Sequence, residues 1–256
     1  MHLLIIFLAL IVAYTIRYQC TQSISTRNER WHKALFFFLF PPLLIFTTTF
    51  ALLFMGPQGK MGGLQTGCYS YVIALLGIVF FAMMFVKQLW LGWLSVKSVR
   101  DCPEANIAAR KVRLLNTQAL FAGQIGFFKP ELVLSSGLLE TLSSNHLEAV
   151  LAHEQGHYHY RDTFWFFWLG WMRECTSWLP NTEALWEELL TLRELRADAH
   201  AVLSVDPLLL AESLLMVVSS NPVSSEVLCA ALGSPGAKRL EERVEALLSP
   251  PQTTQK

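Results

Sequence analysis

The stretch Leu147–Asp162, LEAVLAHEQGHYHYRD, contains the pattern H-E-x-x-H, with His153, Glu154 and His157 at its defined positions. Residues four apart lie on the same face of an α-helix, one turn above the other. The two histidines are therefore placed to bind one metal ion together, and Glu154 is placed to act on a water molecule beside that ion. A helix is predicted here because an apolar face recurs at helical spacing. That face consists of Leu147, Val150 and Leu151.

A second predicted helix offers further ligands. The stretch 182–203, TEALWEELLTLRELRADAHAVL, carries Glu194 and, four residues on, Asp198 on the same face. The H-E-x-x-H pattern is typical of zinc metalloproteases, and Glu194 is the predicted third metal ligand. Asp198 is predicted to accept the other N–H of a ligand histidine. The alternatives are a solvated glutamate, a surface salt bridge at Asp198, and a helix with two metal-free histidines.

The composition indicates a membrane protein. Of the 256 residues, 53% are apolar and 16% are charged, and the 20 basic side chains balance the 20 acidic ones. Because the chain has no basic excess, no nucleic-acid partner is predicted. Glu29 is the only acidic residue before Asp101. The five cysteines lack C-x-x-C spacing and predict neither a disulfide framework nor a zinc site.

Three apolar runs predict a transmembrane region over residues 1–100, with spans near 1–18, 34–55 and 69–94. The alternative for the first run is a cleaved signal peptide, but its positive charge follows the apolar stretch instead of preceding it. Basic residues concentrate in the segments 17–33 and 95–113, which the positive-inside rule places in the cytoplasm. Everything after the third span is then expected to begin in the cytoplasm.

Residues 101–256 are predicted to form a cytoplasmic catalytic domain. Three short apolar pieces, 112–115, 119–122 and 132–134, predict two or three strands of a small sheet packed on the H-E-x-x-H helix. Such a sheet can offer an edge to an extended peptide substrate, or it can serve only to pack against the helix. Both interpretations remain open from the sequence. The predicted fold is thus a helical membrane bundle followed by an α+β domain.

The segment 163–179, TFWFFWLGWMRECTSWL, is apolar for ten residues and is then interrupted by Arg173 and Glu174. Only 37 residues separate His157 from Glu194, too few for a hairpin of two spans of about 20 residues each plus turns. We therefore predict that this segment associates with the membrane without crossing it.

These motifs together resemble those of a known family. H-E-x-x-H, then Arg161-Asp162, then Glu194-Leu195-Arg196-Ala197-Asp198 resembles the gluzincin-type integral-membrane metallopeptidases. The stretch Gly126-Phe127-Phe128-Lys129-Pro130, followed by Leu132-Val133-Leu134-Ser135 and Leu138-Leu139, resembles the BlaR/MecR-like peptidases in particular. That family couples a transmembrane bundle to a cytoplasmic zinc protease. HtpX-like peptidases share the ligand pattern, but the short spacing before Glu194 argues against them.

One part of the family pattern is missing. No serine stands three residues before a lysine, so the S-x-x-K nucleophile of the β-lactam sensor is not found in these 256 residues. The resemblance therefore covers the protease half alone and does not imply β-lactam sensing.

The resemblance implies a zinc endopeptidase of a bacterial-type inner or plasma membrane, with one zinc per chain and protein or peptide substrates in the cytoplasm or beside the membrane. His153, His157 and Glu194 would hold the metal, and Glu154 would be the general base. The alternative is an inactive relative that acts as a membrane scaffold or signalling partner, but such a protein has no need of Glu154. The candidate oxyanion donors are Arg193, Arg196 and Arg243, and His159 is expected to be a surface histidine.

Overall fold

The computed structural model describes residues 2–19, 27–56, 60–61, 64–65, 68–108, 110–219 and 237–249. Parts of the predicted catalytic domain, 220–236 and 250–256, lie outside the described residues. The chain divides into two compact units. The first unit comprises Met1–Leu89 and Trp168–Leu189, and the second comprises Trp90–Phe167 and Leu190–Lys256.

Long apolar helices dominate the first unit. They are α1 (His2–Tyr18), α2 (Arg27–Met55) and the first part of α3 (Cys68–Arg100), with the short antiparallel strands β1 (Lys60–Met61) and β2 (Leu64–Gln65) between α2 and α3. Arg17, at the end of α1, is fully buried and donates hydrogen bonds to the Thr182 hydroxyl and the Phe38 carbonyl, at 3.1 and 2.9 Å. The buried guanidinium is thus supplied with the acceptors that a charged group requires.

Within the described residues, two helices are long and apolar enough to cross a membrane by length and composition: Asn28–Met55 in α2 and Tyr69–Arg100 in α3. Only 22% and 17% of the residues in their most apolar stretches are buried, as expected for helices that contact lipid. The predicted first span, near 1–18, is not confirmed. Its helix α1 has 17 residues, about 26 Å of helix against an apolar bilayer thickness of roughly 30 Å.

The segment 163–179 forms most of helix α6 (Asp162–Thr176), and the carboxyl-terminal part of this helix lies in the first unit. There Trp171 donates a hydrogen bond from Nε1 to the Phe81 carbonyl at 3.1 Å, and its ring meets that of Phe85 edge to face. Glu174 accepts a hydrogen bond from Lys87 at 2.8 Å. With 15 residues, α6 is about 22 Å long, which is shorter than the apolar core of a bilayer.

The second unit contains the predicted small sheet. The strands are β3 (Glu104–Ile107), β4 (Arg110–Leu115), β5 (Ala122–Ile125) and β6 (Glu131–Ser135). Their order in the sheet is β3-β4-β6-β5, with β4 and β6 parallel and the two outer pairs antiparallel. The strand predicted at 119–122 lies slightly later in the chain, and β3 adds a strand that no apolar run had indicated.

Helix α5 (Ser144–His159) carries the H-E-x-x-H motif, and other elements cover it on two sides. On one side Val150 and Leu151 join a core with sheet residues such as Val112 and Leu134. On the other side Ala149 and Ala152 pack against residues of later helices such as Leu210. The remaining helices are α4 (Ser136–Thr141), α7 (Thr182–Ala201), α8 (Pro207–Ser219) and α9 (Ala237–Leu248).

Gly156 allows α5 and α7 to approach each other closely. A Cβ at this position would lie 3.0 Å from both the Cα and the carbonyl oxygen of Ala197. Most real Cβ contacts are longer, so any side chain here would push the helices apart. Gly156 lies between the two histidines of the motif, and Ala197 lies between Glu194 and Asp198. The glycine is thus a packing requirement at the point where the predicted ligands meet.

We predict that Gly156→Ala destabilises the protein by about 1–3 kcal/mol, since an extra methyl group in a tight contact forces the backbone to shift. The matched control is Gly92→Ala, because a Cβ there comes no closer than 4.0 Å to the Phe167 ring. Denaturation of the detergent-solubilised variants measures the difference. Equal stability of both variants would show that the contact between α5 and α7 accommodates an extra methyl group.

Candidate metal centre

Helix α5 brings the two motif histidines together. Its N-cap is Ser143, whose hydroxyl accepts a hydrogen bond from the backbone N–H of His146. One turn apart on this helix, the rings of His153 and His157 stand nearly perpendicular, with centroids 4.7 Å apart. Their Nε2 atoms are 3.0 Å from each other. Two imidazole nitrogens therefore face one point, as the spacing predicts.

Helix α7 brings Glu194 to the same point. Its Oε2 lies 3.4 Å from Nε2 of His153 and 3.7 Å from Nε2 of His157. In a tetrahedral zinc site with bonds of about 2.0–2.1 Å, neighbouring ligand atoms are roughly 3.4 Å apart. The three atoms have the separations of such a site, and among the described residues they form a group suited to hold a metal ion.

A carboxylate lies at the Nδ1 atom of each histidine and orients its ring. Nδ1 of His153 lies 2.8 Å from Oδ1 of Asp198, and Nδ1 of His157 lies 2.8 Å from Oδ2 of Asp162. A carboxylate at Nδ1 fixes the proton there and leaves Nε2 free as a metal ligand. Asp198 thus lies where its predicted role requires.

Asp162 is the residue that the sequence analysis missed. We expected Arg161 and Asp162 only as part of the family motif, but Asp162 is almost fully buried and is held by both His157 and Arg196. It is the first residue of α6, where a helix dipole favours a negative charge. An acidic residue five positions after the second motif histidine was the signal available in the sequence.

Two buried arginines neutralise the carboxylates. Arg193 donates from Nε and Nη2 to Oε1 of Glu194 at 2.9 and 2.7 Å. Arg243 of α9 holds Asp198 through two hydrogen bonds of 2.7 and 2.8 Å, and its Nη1 lies 3.2 Å from Oε2 of Glu194. Although burial raises the pKa of Glu194, these cations and His157 hold it well below the ordinary value. Burial likewise raises the pKa of Asp198, but Arg243 outweighs that effect and holds the pKa below its ordinary value.

The three candidate oxyanion donors are all engaged with carboxylates. Arg193 and Arg243 contact Glu194, and Arg196 donates to Asp162 while lying 4.2 Å above the ring of Tyr160. These contacts assign the arginines to holding the acidic residues. The role predicted for them toward an oxyanion stays a prediction. His159 is exposed and stacks on the ring of His200.

The negative surroundings favour positive charge on the histidines. Burial lowers the pKa of His157, but the charge of Glu194 and the hydrogen bond to Asp162 outweigh this effect and raise the pKa to about 10. For His153, burial again lowers the pKa and Asp198 raises it, with a net increase. An environment that stabilises imidazolium also stabilises a metal cation, which takes the place of the protons at Nε2.

Glu154 differs from the other buried acids. Its side chain is 6% exposed, and its Oε2 has no hydrogen-bond partner within the described part of the chain. A buried carboxylate oxygen without a partner is costly, and it indicates an exchangeable group such as a water molecule. The donor set, the oriented histidines and this unsatisfied oxygen therefore fit a zinc ion with a reacting water.

We predict that Glu194→Gln lowers zinc affinity by more than about tenfold, because even changes behind the ligands cost roughly 10–100-fold. Zinc content after dialysis against a chelator measures the effect. Glu187→Gln is the matched control, since Glu187 lies on the same helix but is exposed. If both variants keep the wild-type zinc content, Glu194 is not a ligand.

Comparison with known proteins supports this chemistry. Residues 92–186 match the sequence profile of Peptidase family M48. The matched segment contains His153, Glu154, His157 and Asp162, and it ends before Glu194. No curated protein and no solved structure matches the chain. The match covers less than half of the chain, and it supports the resemblance to zinc metallopeptidases drawn from the sequence.

Proposed function

We propose that this protein is a membrane-embedded zinc endopeptidase that hydrolyses peptide bonds of protein substrates in the cytoplasm or beside the membrane. One observation carries the proposal: Nε2 of His153, Nε2 of His157 and Oε2 of Glu194 converge with the separations of a zinc site. The unsatisfied Oε2 of Glu154, the residue after the first ligand, supplies the base that hydrolysis requires.

His153, His157 and Glu194 would hold the zinc ion. When bound, zinc supplies Lewis acidity, which makes water more acidic and polarises a carbonyl group. Glu154 takes a proton from the water molecule as the water oxygen attacks the peptide carbonyl carbon. The same carboxyl group then gives that proton to the leaving amine nitrogen as the C–N bond breaks, so Glu154 returns to its starting state.

The neighbouring charges keep the ligands in place during this cycle. Asp162 and Asp198 hold the Nδ1 protons of the two histidines, so each imidazole keeps its Nε2 lone pair directed at the metal. Arg193 and Arg243 fix the two oxygens of Glu194 from separate directions. These side chains act by positioning the ligands, and Glu154 is the residue proposed to act on the substrate.

We also propose that α6 associates with the membrane without crossing it, so that the chain on both of its sides faces the cytoplasm. Its 15-residue length and the need to place ligands from α5 and α7 in one site support this proposal. The charges of Arg173 and Glu174 are a weaker argument against a membrane span than the sequence suggested. Glu183 pairs with Arg173 and Lys87 pairs with Glu174, and pairing lowers the cost of a charge in the bilayer.

We expect Glu154→Gln to keep its zinc and to lose peptide cleavage by a factor of about 10²–10⁴, since the amide cannot accept a proton. Measuring the metal content and the turnover of a quenched fluorescent peptide on the same sample separates the two effects. The inactive-scaffold alternative predicts no cleavage by the wild-type protein either. Full activity in the variant would exclude Glu154 as the base.

A second test concerns topology. In a variant without native cysteines, single cysteines at Ser144 and Leu203, both exposed in the structure, should resist a membrane-impermeant thiol reagent in intact cells. A cysteine at Gln58, between the second and third predicted spans and therefore expected on the outer side, should react and serves as the positive control. Reaction at Leu203 together with protection at Ser144 would show that the chain crosses the membrane between them.

A further inference from the structure

The loop between β5 and β6 presents an aromatic side chain to the solvent. Ile125 pairs with Glu131 at the end of the two strands, which leaves residues 126–130, GFFKP, as the connection. Phe128 is 83% exposed at the tip of this loop. Gly126 has a φ of +133°, and a Cβ there would lie 3.0 Å from the Lys129 carbonyl oxygen. The turn is therefore tight, and it holds the aromatic tip in place.

The loop is packed onto the beginning of α6. The Phe127 ring contacts the rings of Phe164 and Phe167 at centroid distances of 4.9 and 4.7 Å. Phe128 stands edge to face with Phe127, 4.5 Å away. Trp165, the next aromatic residue of α6, is 57% exposed. We refer to Phe127, Phe128, Phe164, Trp165 and Phe167 as the aromatic tip.

The aromatic tip is continuous with the end of the apolar helix α3. The Phe167 ring lies 4.0 Å from the Cβ position of Gly92. On either side of that glycine, Trp90 and Trp93 are exposed and contact each other at 5.4 Å. One turn later, Lys97 lies 5.3 Å above the Trp93 ring. Tryptophans followed by a lysine at the end of an apolar helix are typical of the membrane–water interface.

The charges beside the aromatic tip match those of an anionic lipid surface. Lys129 directly follows Phe128 and is exposed, as is Lys97. Glu131, the acidic residue at the start of β6, accepts hydrogen bonds from Arg113 and Arg100. Exposed aromatic rings next to solvated lysines form the combination that enters the headgroup region, with rings in the acyl boundary and ammonium groups among phosphates.

We infer that the aromatic tip is a second membrane anchor, which inserts into the lipid headgroup region at the level of Trp90 and Trp93. The inference rests on the membrane embedding in the proposed function and adds a substrate restriction to it. Asp162, which holds His157, begins the helix that carries Phe164 and Phe167. Five residues of helix span about 8 Å, so the anchor keeps the metal centre close to the membrane surface. The substrates are then chain segments that leave or approach the bilayer.

Site-directed spin labelling of the full chain in vesicles containing anionic lipid tests this anchor. In a cysteine-free background, nitroxides are placed at Phe128, at Val79 in the middle of α3, and at Leu203, which is 81% exposed in the same unit as Phe128. Collisions with oxygen report lipid, and collisions with a water-soluble nickel chelate report water. A label at Trp165 repeats the test at a second position should the Phe128 variant fold poorly.

We expect the labels at Phe128 and Val79 to favour oxygen and the label at Leu203 to favour nickel. Nickel accessibility at Phe128 equal to that at Leu203 would overturn the anchor while the membrane embedding stands. Exclusion of both reagents at Phe128, with spin–spin broadening, would instead assign the surface to a second copy and overturn it as well. A water-like label at Val79 would overturn the embedding and the anchor together. None of these measurements depends on zinc or on activity. A failure to detect cleavage would therefore count against the proposed peptidase activity and not against the anchor.

Discussion

The close approach of α5 and α7 is the constraint on which the rest of the metal centre depends. Gly156 faces the backbone of Ala197, and no side chain fits between them. Because the helices meet there, Glu194 on α7 comes within 3.4 Å of His153 on α5. A displacement of one ångström would leave the three ligand atoms too far apart for one zinc ion, since zinc–ligand bonds vary by only about 0.2 Å.

A second constraint is charge. The centre buries Glu154, Glu194, Asp162 and Asp198, and burial of unpaired carboxylates is strongly unfavourable. The arginines make the arrangement possible, and Arg243 does so from α9, far along the chain. The last described helix therefore contributes to the candidate metal centre. Of these four carboxylates, only Glu154 has a buried oxygen without a partner within the described residues, which supports its proposed role as the base.

Local patterns in the sequence predicted much of this structure. Helical spacing placed His153 and His157 on one face, and the apolar runs marked α2, α3 and the sheet. The contacts that depend on tertiary packing were not predictable in this way. In the sequence Asp162 and Arg243 look like ordinary surface charges, and Arg243 lies 45 residues from its partner Asp198. Strand β3 alternates polar and apolar residues over only four positions, too few to indicate a strand. The close contact at Gly156 also has no local signal, because a glycine in a helix usually indicates only a weakened helix.

X-ray absorption at the zinc edge on the purified protein tests the central claim most directly. The account predicts four light-atom ligands at about 2.0–2.1 Å, with multiple scattering from two imidazole rings and no sulfur. The same spectrum of a His157→Ala variant should lose the signal of one ring. A zinc–sulfur distance of about 2.3 Å, or fewer than two imidazoles in the wild-type protein, would contradict the proposed ligand set.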